Sequence, residues 1–416
     1  MTQTLHLNGP LRQTIVLPAS KSLSNRALLL CAMSANGSQC LRPSACDDTL
    51  VMQRALAERP TTVDIMAAGT AMRFLTAYFA TTPDESHVLT GTQRMLERPI
   101  GVLVDALRKL GADISYEGNE GFPPLRINGK KLHGGTLRLP ANVSSQYVSA
   151  LLMTAPLMED GLKLQLEGEI VSRPYIDMTL ALMQQFGAKA AWTTDTEVTV
   201  QPGAYAKGIT YTVESDWSAA SYWYELLALS TDDGARVVLP YLSAESLQGD
   251  SAVSSFFAPL GVATSFEEAD GKSAAVLTRD SSATLPEGEV LELDLVNQPD
   301  LAQTLVVTCA MLRRPFRFTS LRSLRIKETD RISALQKELA KFGINLEATP
   351  DCELHILNYP DGAPHYDGTP IATYNDHRMA MAFAPAALRC PGVGIANPEV
   401  VSKSYPHFWE DLQCLY

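Results

Sequence analysis

The sequence predicts an α/β protein of two similar lobes, each made of three repeats of one unit packed around a buried helix. Three observations carry this. A continuously apolar helix type, rich in Ala, Leu and Met, recurs six times, opening near Ser22, Gly69, Ser144, Asp216, Asp300 and Asp376. An amphipathic helix type alternates with it and mostly ends in Gly before a strand-like segment. The apolar helices start 47, 75, 72, 84 and 76 residues apart, so most units hold about 75 residues and the first is short by some two dozen.

A helix apolar all round belongs in a core. The stretch that organises the chain is Leu17 to Met33, LPASKSLSNRALLLCAM. A strand-like run, Thr14 to Leu17, stops at Pro18. Ser20 and Ser22 are good N-cap types, and a helix is expected from about Asn25 to Met33. Lys21, Ser22 and Arg26 offer a charge, a hydroxyl and a planar fork where free N–H groups and the helix dipole already favour an anion. The stretch reads either as a seat for a phosphate or carboxylate, or as a capped helix with two solvated cations.

The amphipathic helices are expected over Ile100–Leu110, Tyr175–Phe186, Gln248–Leu260 and Arg331–Phe342, each followed by Gly at a position that suits left-handed backbone. Alternating polarity marks strands at 135–139, 198–201 and 291–295. Six units divide into three plus three, and the fourth begins near Glu214 to Trp217, the candidate boundary between lobes.

The 416 residues are 46% hydrophobic and 19% charged, ordinary for a globular protein, with a formal net charge of −12. That balance speaks against non-specific binding to nucleic acid or an anionic membrane, but leaves room for a local basic cluster. The longest weakly polar run, Tyr147 to Met158, is too short to span a bilayer, and the first residues do not read as a secretory signal. Seven scattered cysteines show no ligand spacing and read as free thiols of a reducing cytoplasm. No P-loop, dinucleotide fingerprint, zinc signature or nucleophile elbow is present, so no cofactor or metal is implied.

Polar residues cluster at the starts of the apolar helices: Gly69-Thr70 with Arg73, Ser144-Ser145-Gln146, Asp300 after Gln298-Pro299, and Asp376-His377-Arg378. Were these N-termini to face one another across the lobes, their dipoles would trap a multiply charged anion. Lys327 and Arg331 lie one turn apart with Glu328 between two cations; the other reading is a Thr-capped helix carrying surface charge. Arg94, Lys403 and the Ser172-Arg173-Pro174-Tyr175 helix start are weaker signals, each equally readable as solvated or structural.

Taken together and in order, LPASKSLSNRALLL, AGTAMRFL, LTGTQRMLERPIG, SSQYVSALLM, SRPYIDMTL, IKETDRI and YNDHRMAMAF resemble the enolpyruvyl transferase family over nearly the whole chain. The resemblance implies that family's fold: two lobes of three βαβαββ units each, here with the first unit truncated. Residues 1–19 and 215–416 would form one lobe and 20–214 the other, with the active site in the cleft. It implies transfer of the enolpyruvyl group of phosphoenolpyruvate to the 5-hydroxyl of shikimate 3-phosphate, through a tetrahedral intermediate, by a cytoplasmic monomer. Shikimate 3-phosphate would be held by Lys21, Ser22, Arg26, Ser144, Ser145, Gln146, Ser172, Tyr175, Asp300, Ser323 and Lys327. Phosphoenolpyruvate would be held by Lys21, Gly69, Arg94, Gln146, Arg331, Arg378 and Lys403. Asp300 would be the general base and Glu328 the acid toward the methylene carbon, with Lys21, Lys403 and His377 assisting.

The chain departs from the family pattern at Ala67 and Ser323, where the family usually has Asn, and in the shortened first repeat. Gly69 implies sensitivity to glyphosate, which competes for the phosphoenolpyruvate site in this family. Two alternatives stand beside this reading. Transfer to a UDP-amino sugar is disfavoured because the Gly91–Arg98 loop has no Cys. A non-catalytic ligand-binding homologue is disfavoured by the intact set Lys21, Asp300, Glu328, His377, Arg378 and Lys403.

Overall fold

The apolar stretches fold as helices Lys21–Met33, Gly69–Ala80, Ser145–Thr154, Trp217–Leu229, Ala302–Leu312 and His377–Phe383. The computed structural model describes residues 1–34, 37–142, 144–269, 271–359 and 361–415. Burial is near complete along several of these helices. Every residue of His377–Phe383 is buried, His377 and Arg378 included. The first helix starts four residues earlier than the sequence suggests, because Ser20 is the cap: its hydroxyl accepts from the Leu23 N–H. Ser22 therefore lies inside the first turn. The preceding strand ends at Thr14 rather than continuing to Leu17.

The chain divides into two compact units, Met1–Pro18 with Glu214–Tyr416, and Ala19–Val213. Within Ala19–Val213, strand Thr62–Asp64 runs parallel to Ser86–Thr90, which pairs antiparallel with Leu125–Asn128, and that in turn with Asp113–Tyr116. The same plan returns in Gly135–Pro140, Leu162–Glu167, Glu197–Val200 and Ala190–Thr194. In each case a buried helix carries the parallel crossover, an outer helix follows, and a hairpin finishes the sheet. The third sheet has only Thr210–Thr212 beside Gln39–Leu41. Its outer helix, Asp47–Glu58, ends on left-handed Arg59 and enters strand Thr62–Asp64 at once, so no hairpin forms.

The other unit repeats the plan twice. Arg12–Thr14, Arg236–Pro240, Lys272–Arg279 and Val262–Ala269 form one four-stranded sheet. Leu291–Asp294, Phe316–Thr319, Leu354–Ile356 and Glu347–Ala348 form the other. The sixth repeat is shortened like the first, which the sequence did not suggest: Thr2–Leu5 pairs with Val393–Ala396, and Ile371 adds a single bridge. Its helix is also short, because Pro385 turns the chain into a 3₁₀ segment. The helix expected over Gln248–Leu260 is instead a 3₁₀ turn, the short helix Val253–Phe257, and a second 3₁₀ turn where Pro259 ends it.

Glycines end the outer helices as expected; Gly111 and Gly187 sit at φ +104° and +85°, where a Cβ would be strained. Among the described residues no helix is long and apolar enough to cross a membrane.

Candidate active site

The densest polar cluster lies in the unit that contains Glu214–Tyr416, and it is built on helix starts. Asp300 sits in the 3₁₀ turn Pro299–Leu301 that opens the Ala302–Leu312 helix. Asp376 caps His377–Phe383, accepting from the Arg378 N–H at 3.0 Å. Asp330, not Thr329, caps Arg331–Ala340. Two caps thus place Arg331 and Arg378 at helix mouths, and the Pro299–Leu301 turn places Asp300 at a third.

Arg331 is 1% exposed. Its guanidinium donates to Asp376 at 2.7 and 3.3 Å, to Asp300 Oδ1 at 3.1 Å and to Glu328 Oε2 at 3.1 Å. Gln303 turns its amide oxygen to the same group, 2.8 Å from Nε. Arg378 donates to Asp300 Oδ2 at 3.0 Å and to the Asp300 carbonyl at 3.2 Å. Lys327 lies 3.3 Å from Asp300 Oδ1, and Lys403 donates to Glu328 Oε1 at 2.8 Å. Arg331 and Lys403 thus both pair with Glu328, the second from far along the chain.

Burial alone would push the Asp300 carboxyl up. Arg378, Lys327 and Arg331 outweigh it and hold the group well below the ordinary carboxylate range. Burial would likewise weaken the charge on Arg331, but Asp376, Glu328 and Asp300 raise its pKa instead. His377 is buried, with Nδ1 3.7 Å from Asp376 Oδ1. Ser323, in the 3₁₀ turn Arg322–Ile326, holds a buried hydroxyl that makes no hydrogen bond among the described residues.

A second cluster lies in Ala19–Val213. Lys21 Nζ sits 3.2 Å from Asp48 Oδ2. Arg26 points inward, donating to Thr179 Oγ1 at 2.7 Å, Ser22 O at 2.9 Å, Ser149 Oγ at 3.1 Å and Tyr175 O at 3.4 Å. Burial lowers its pKa to about 10, with Tyr175 acting the other way. Ser144 caps the Ser145–Thr154 helix, and Gln146 reaches Thr70 Oγ1 at 3.1 Å. Ser172 takes a left-handed conformation, φ 58°, just before the Arg173–Gln185 helix that carries Tyr175.

Arg94 is not gathered in. Its side chain is half exposed and lies 3.6 Å from Glu97. The cation at Gly69 is Arg98, whose Nη1 lies 2.7 Å from where a Gly69 Cβ would stand. Arg73 is buried and donates to Gly69 O, Met95 Sδ and Pro99 O, a structural role.

Sequence reading missed Asp48, Arg98, Gln303 and the clamping role of Asp376. Asp376 stands beside His377, which was singled out, and Asp48 beside no such residue; nothing in the local pattern marks either as an ion partner. Chemically, the first cluster offers carboxylates between cations that an anionic substrate can compete for. The second offers Lys21 and a buried, charged Arg26 with neutral partners.

Comparison with known proteins adds the context. A family model described as EPSP synthase (3-phosphoshikimate 1-carboxyvinyltransferase) matches residues 54–412. A protein of Bacteroides fragilis with that enzyme's name is 52% identical over 414 residues, covering 99% of this chain and 97% of its own. Its counterpart in Shewanella pealeana is 35% identical over 436 residues, covering 97% and 96%. A solved EPSP synthase structure from Acinetobacter baumannii superposes with a TM-score of 0.77 at 22% identity, covering 100% of this chain and 98% of that one. The last of these speaks for the fold alone.

Proposed function

The chain belongs to the EPSP synthase family, and from that membership we infer that it transfers the carboxyvinyl group of phosphoenolpyruvate to the 5-hydroxyl of shikimate 3-phosphate and releases phosphate. The observation that carries the reading is the Asp300 carboxylate, partly buried and held between Lys327, Arg331 and Arg378.

In this reading Asp300 takes the 5-hydroxyl proton and the freed oxygen attacks C2 of phosphoenolpyruvate. Glu328 gives a proton to C3, and a tetrahedral ketal phosphate results. Return of a C3 proton and cleavage of the C2–O bond to phosphate give the enol ether and inorganic phosphate. A carboxylate held well below its ordinary range is a poor base, so its cations must be drawn off first. Phosphoenolpyruvate brings a carboxylate and a phosphate that compete for Arg331 and Arg378. As these turn to the substrate, Asp300 loses the charges that depress it and becomes a stronger base. Substrate binding and base activation are then one event.

Lys21, Ser22, Arg26, Ser144, Ser145, Gln146, Ser172, Tyr175, Ser323 and Lys327 are assigned to shikimate 3-phosphate. Lys21, Gly69, Gln146, Arg331, Arg378 and Lys403 are assigned to phosphoenolpyruvate. Arg94 joins them on the family pattern, although here it faces Glu97. His377, next to Asp376, assists on the acid side with Lys21 and Lys403. The protein is read as a cytoplasmic monomer acting on two small molecules.

The test is phosphate release by purified protein given both substrates, with each alone as control. Release only with both is the expected result. No release, with either substrate still bound tightly, would overturn the transferase reading and make a UDP-amino sugar the next acceptor tried.

A further inference from the structure

Asp250 belongs to none of the roles above, yet it is 3% exposed, and its Oδ1 makes no hydrogen bond among the described residues. A carboxylate so placed costs stability unless it is paired, and no cation bonds it directly among the described residues. Its one side-chain partner is Ser218, whose hydroxyl donates to Oδ2. The same hydroxyl oxygen accepts from Arg378 Nη2 at 3.4 Å, the nitrogen that also holds Asp300 Oδ2 at 3.0 Å. A hydroxyl that gives its proton to a carboxylate is left with lone pairs for a cation, so Ser218 has its orientation set by Asp250.

The surrounding segment is fixed from three sides. Gln248 Oε1 accepts from the Trp217 N–H at 3.2 Å, and its Nε2 donates to Ser215 O at 2.8 Å and Glu214 Oε1 at 2.9 Å. Gln298 Nε2, just before the Asp300 turn, donates to Gly249 O at 3.3 Å. Gln248-Gly249-Asp250 therefore ties the start of the Trp217–Leu229 helix to the Asp300 turn and to Arg378. The charged groups around Asp250 are Arg378, Asp300 and Asp216.

We propose that Asp250, acting through Ser218, is a positioning residue that keeps the Arg378 guanidinium aimed while a substrate anion draws it away from Asp300. This rests on Arg378 receiving phosphoenolpyruvate, as assigned above. Once Asp300 lets go, Arg378 would lose a carboxylate and a long side chain would regain its rotamers. The Ser218–Asp250 bracket holds it at a second point, so the fork meets the anion already oriented. Burial and Asp300 push the Asp250 carboxyl up to about 6, with Arg378 and Ser218 acting the other way.

The experiment is steady-state kinetics on the full chain for Asp250→Ala, Asp250→Asn, Ser218→Ala and the Asp250→Ala/Ser218→Ala double variant, each substrate varied in turn. In Asp250→Ala, KM for phosphoenolpyruvate is expected to rise about tenfold, with kcat and the KM for shikimate 3-phosphate changed less than about threefold. Asp250→Asn keeps an oxygen for Ser218 and is expected to restore most of the affinity. Ser218→Ala should match Asp250→Ala, and the double variant should be no worse than either, because both cut one bracket. A native KM in Asp250→Ala, an Asp250→Asn variant as impaired as Asp250→Ala, or additive effects in the double variant would each overturn the proposal. Should Asp250→Ala fail to fold, Asp250→Asn and Ser218→Ala still decide it. An inactive wild-type protein would instead strike the transferase reading itself.

Discussion

Arg26 and Arg331 are both buried arginines near the start of a helix, but their partners differ in kind. Arg26 is held by two hydroxyls and two backbone carbonyls, all neutral. Arg331 is held by three carboxylates and an amide oxygen. Burial therefore weakens the charge of Arg26 and, through its partners, strengthens that of Arg331. The lesson concerns where charge is left over. Around Arg26 a positive charge persists with no counter-charge among its bonded partners, a standing attraction for an anion. Around Arg331 every positive charge is already answered, so an anion can enter only by exchanging partners. One cluster is a seat and the other is a switch.

The comparison breaks most visibly at Arg331. Arg331→Met leaves Asp376, Asp300 and Glu328 without their shared cation. Asp376 and Arg331 are both fully buried. The expected cost is about 3–5 kcal/mol in apparent unfolding free energy, read from denaturant midpoints. Removing a cation also lets the Asp300 carboxyl rise toward its ordinary range. A group with a depressed folded pKa contributes stability above its unfolded pKa and loses it as pH falls through the folded one. In Arg331→Met that acid-side loss should therefore be smaller and be complete at higher pH. A variant as stable as the native chain, with an unchanged acid limb, would refute the switch picture.

Arg26→Met should cost less, about 2 kcal/mol, because its partners are neutral and can satisfy one another. Thr179 already donates to Ser149 at 2.9 Å and to Tyr175 O at 2.7 Å. Its affinity for shikimate 3-phosphate should nonetheless fall at least about 30-fold, since the unanswered charge is gone. Calorimetric titration with that ligand decides it. A cost equal to that of Arg331→Met would mean that the two arginines are not different in kind.

The two clusters were unequally legible in the sequence. The seat could be read from Lys21, Ser22 and Arg26, because one helix start gathers them by local spacing. The switch could not: Asp300, Arg331 and Asp376 lie tens of residues apart, and only the repeated fold brings them together. The repeat itself was visible because a helix buried on all sides must be apolar on all sides. The shortened sixth repeat was not visible, since its sheet borrows Thr2–Leu5 from the other end of the chain. Asp250 looked like an ordinary acidic residue in the first turn of an outer helix. Its burial depends on the 3₁₀ turn Gly249–Ala252 and on Gln248 binding another helix, which periodicity does not encode.

Glu225 extends the comparison to a buried carboxyl to which no cation bonds among the described residues. It lies within the Trp217–Leu229 helix at 0% exposure, and burial pushes its carboxyl well up, with the Thr308 hydroxyl acting slightly the other way. Between the unfolded and the raised folded pKa the native state keeps a proton that the unfolded chain releases. Stability therefore falls as pH rises through that window. Glu225→Gln removes the titration. It should be more stable than the native chain by about 1–2 kcal/mol at pH 7.5 and no more stable near pH 4. Thermal midpoints across that range check it, and a difference independent of pH would sink the idea.

The smallest effect on stability is expected at Gly69, where the seat carries a cation from a neighbouring loop. A Cβ there would stand 2.7 Å from Arg98 Nη1, too close to stay, but the contact is the far end of a flexible side chain. The backbone of Gly69 is helical, so Ala is itself favoured over Gly by about 1 kcal/mol. Displacing Arg98 offsets part of that gain, and the net change in stability should be under about 0.5 kcal/mol. The displaced guanidinium is what a ligand would notice. Gly69→Ala should raise KM for phosphoenolpyruvate by about tenfold, and should weaken inhibition by glyphosate, expected to compete with phosphoenolpyruvate, by at least as much. Arg98→Lys separates crowding from charge. It keeps a cation but ends in a single ammonium, so adding Gly69→Ala to it should cost less than adding it to the native chain. If the two changes add without interaction, Arg98 is a bystander and the methyl group acts on the ligand directly.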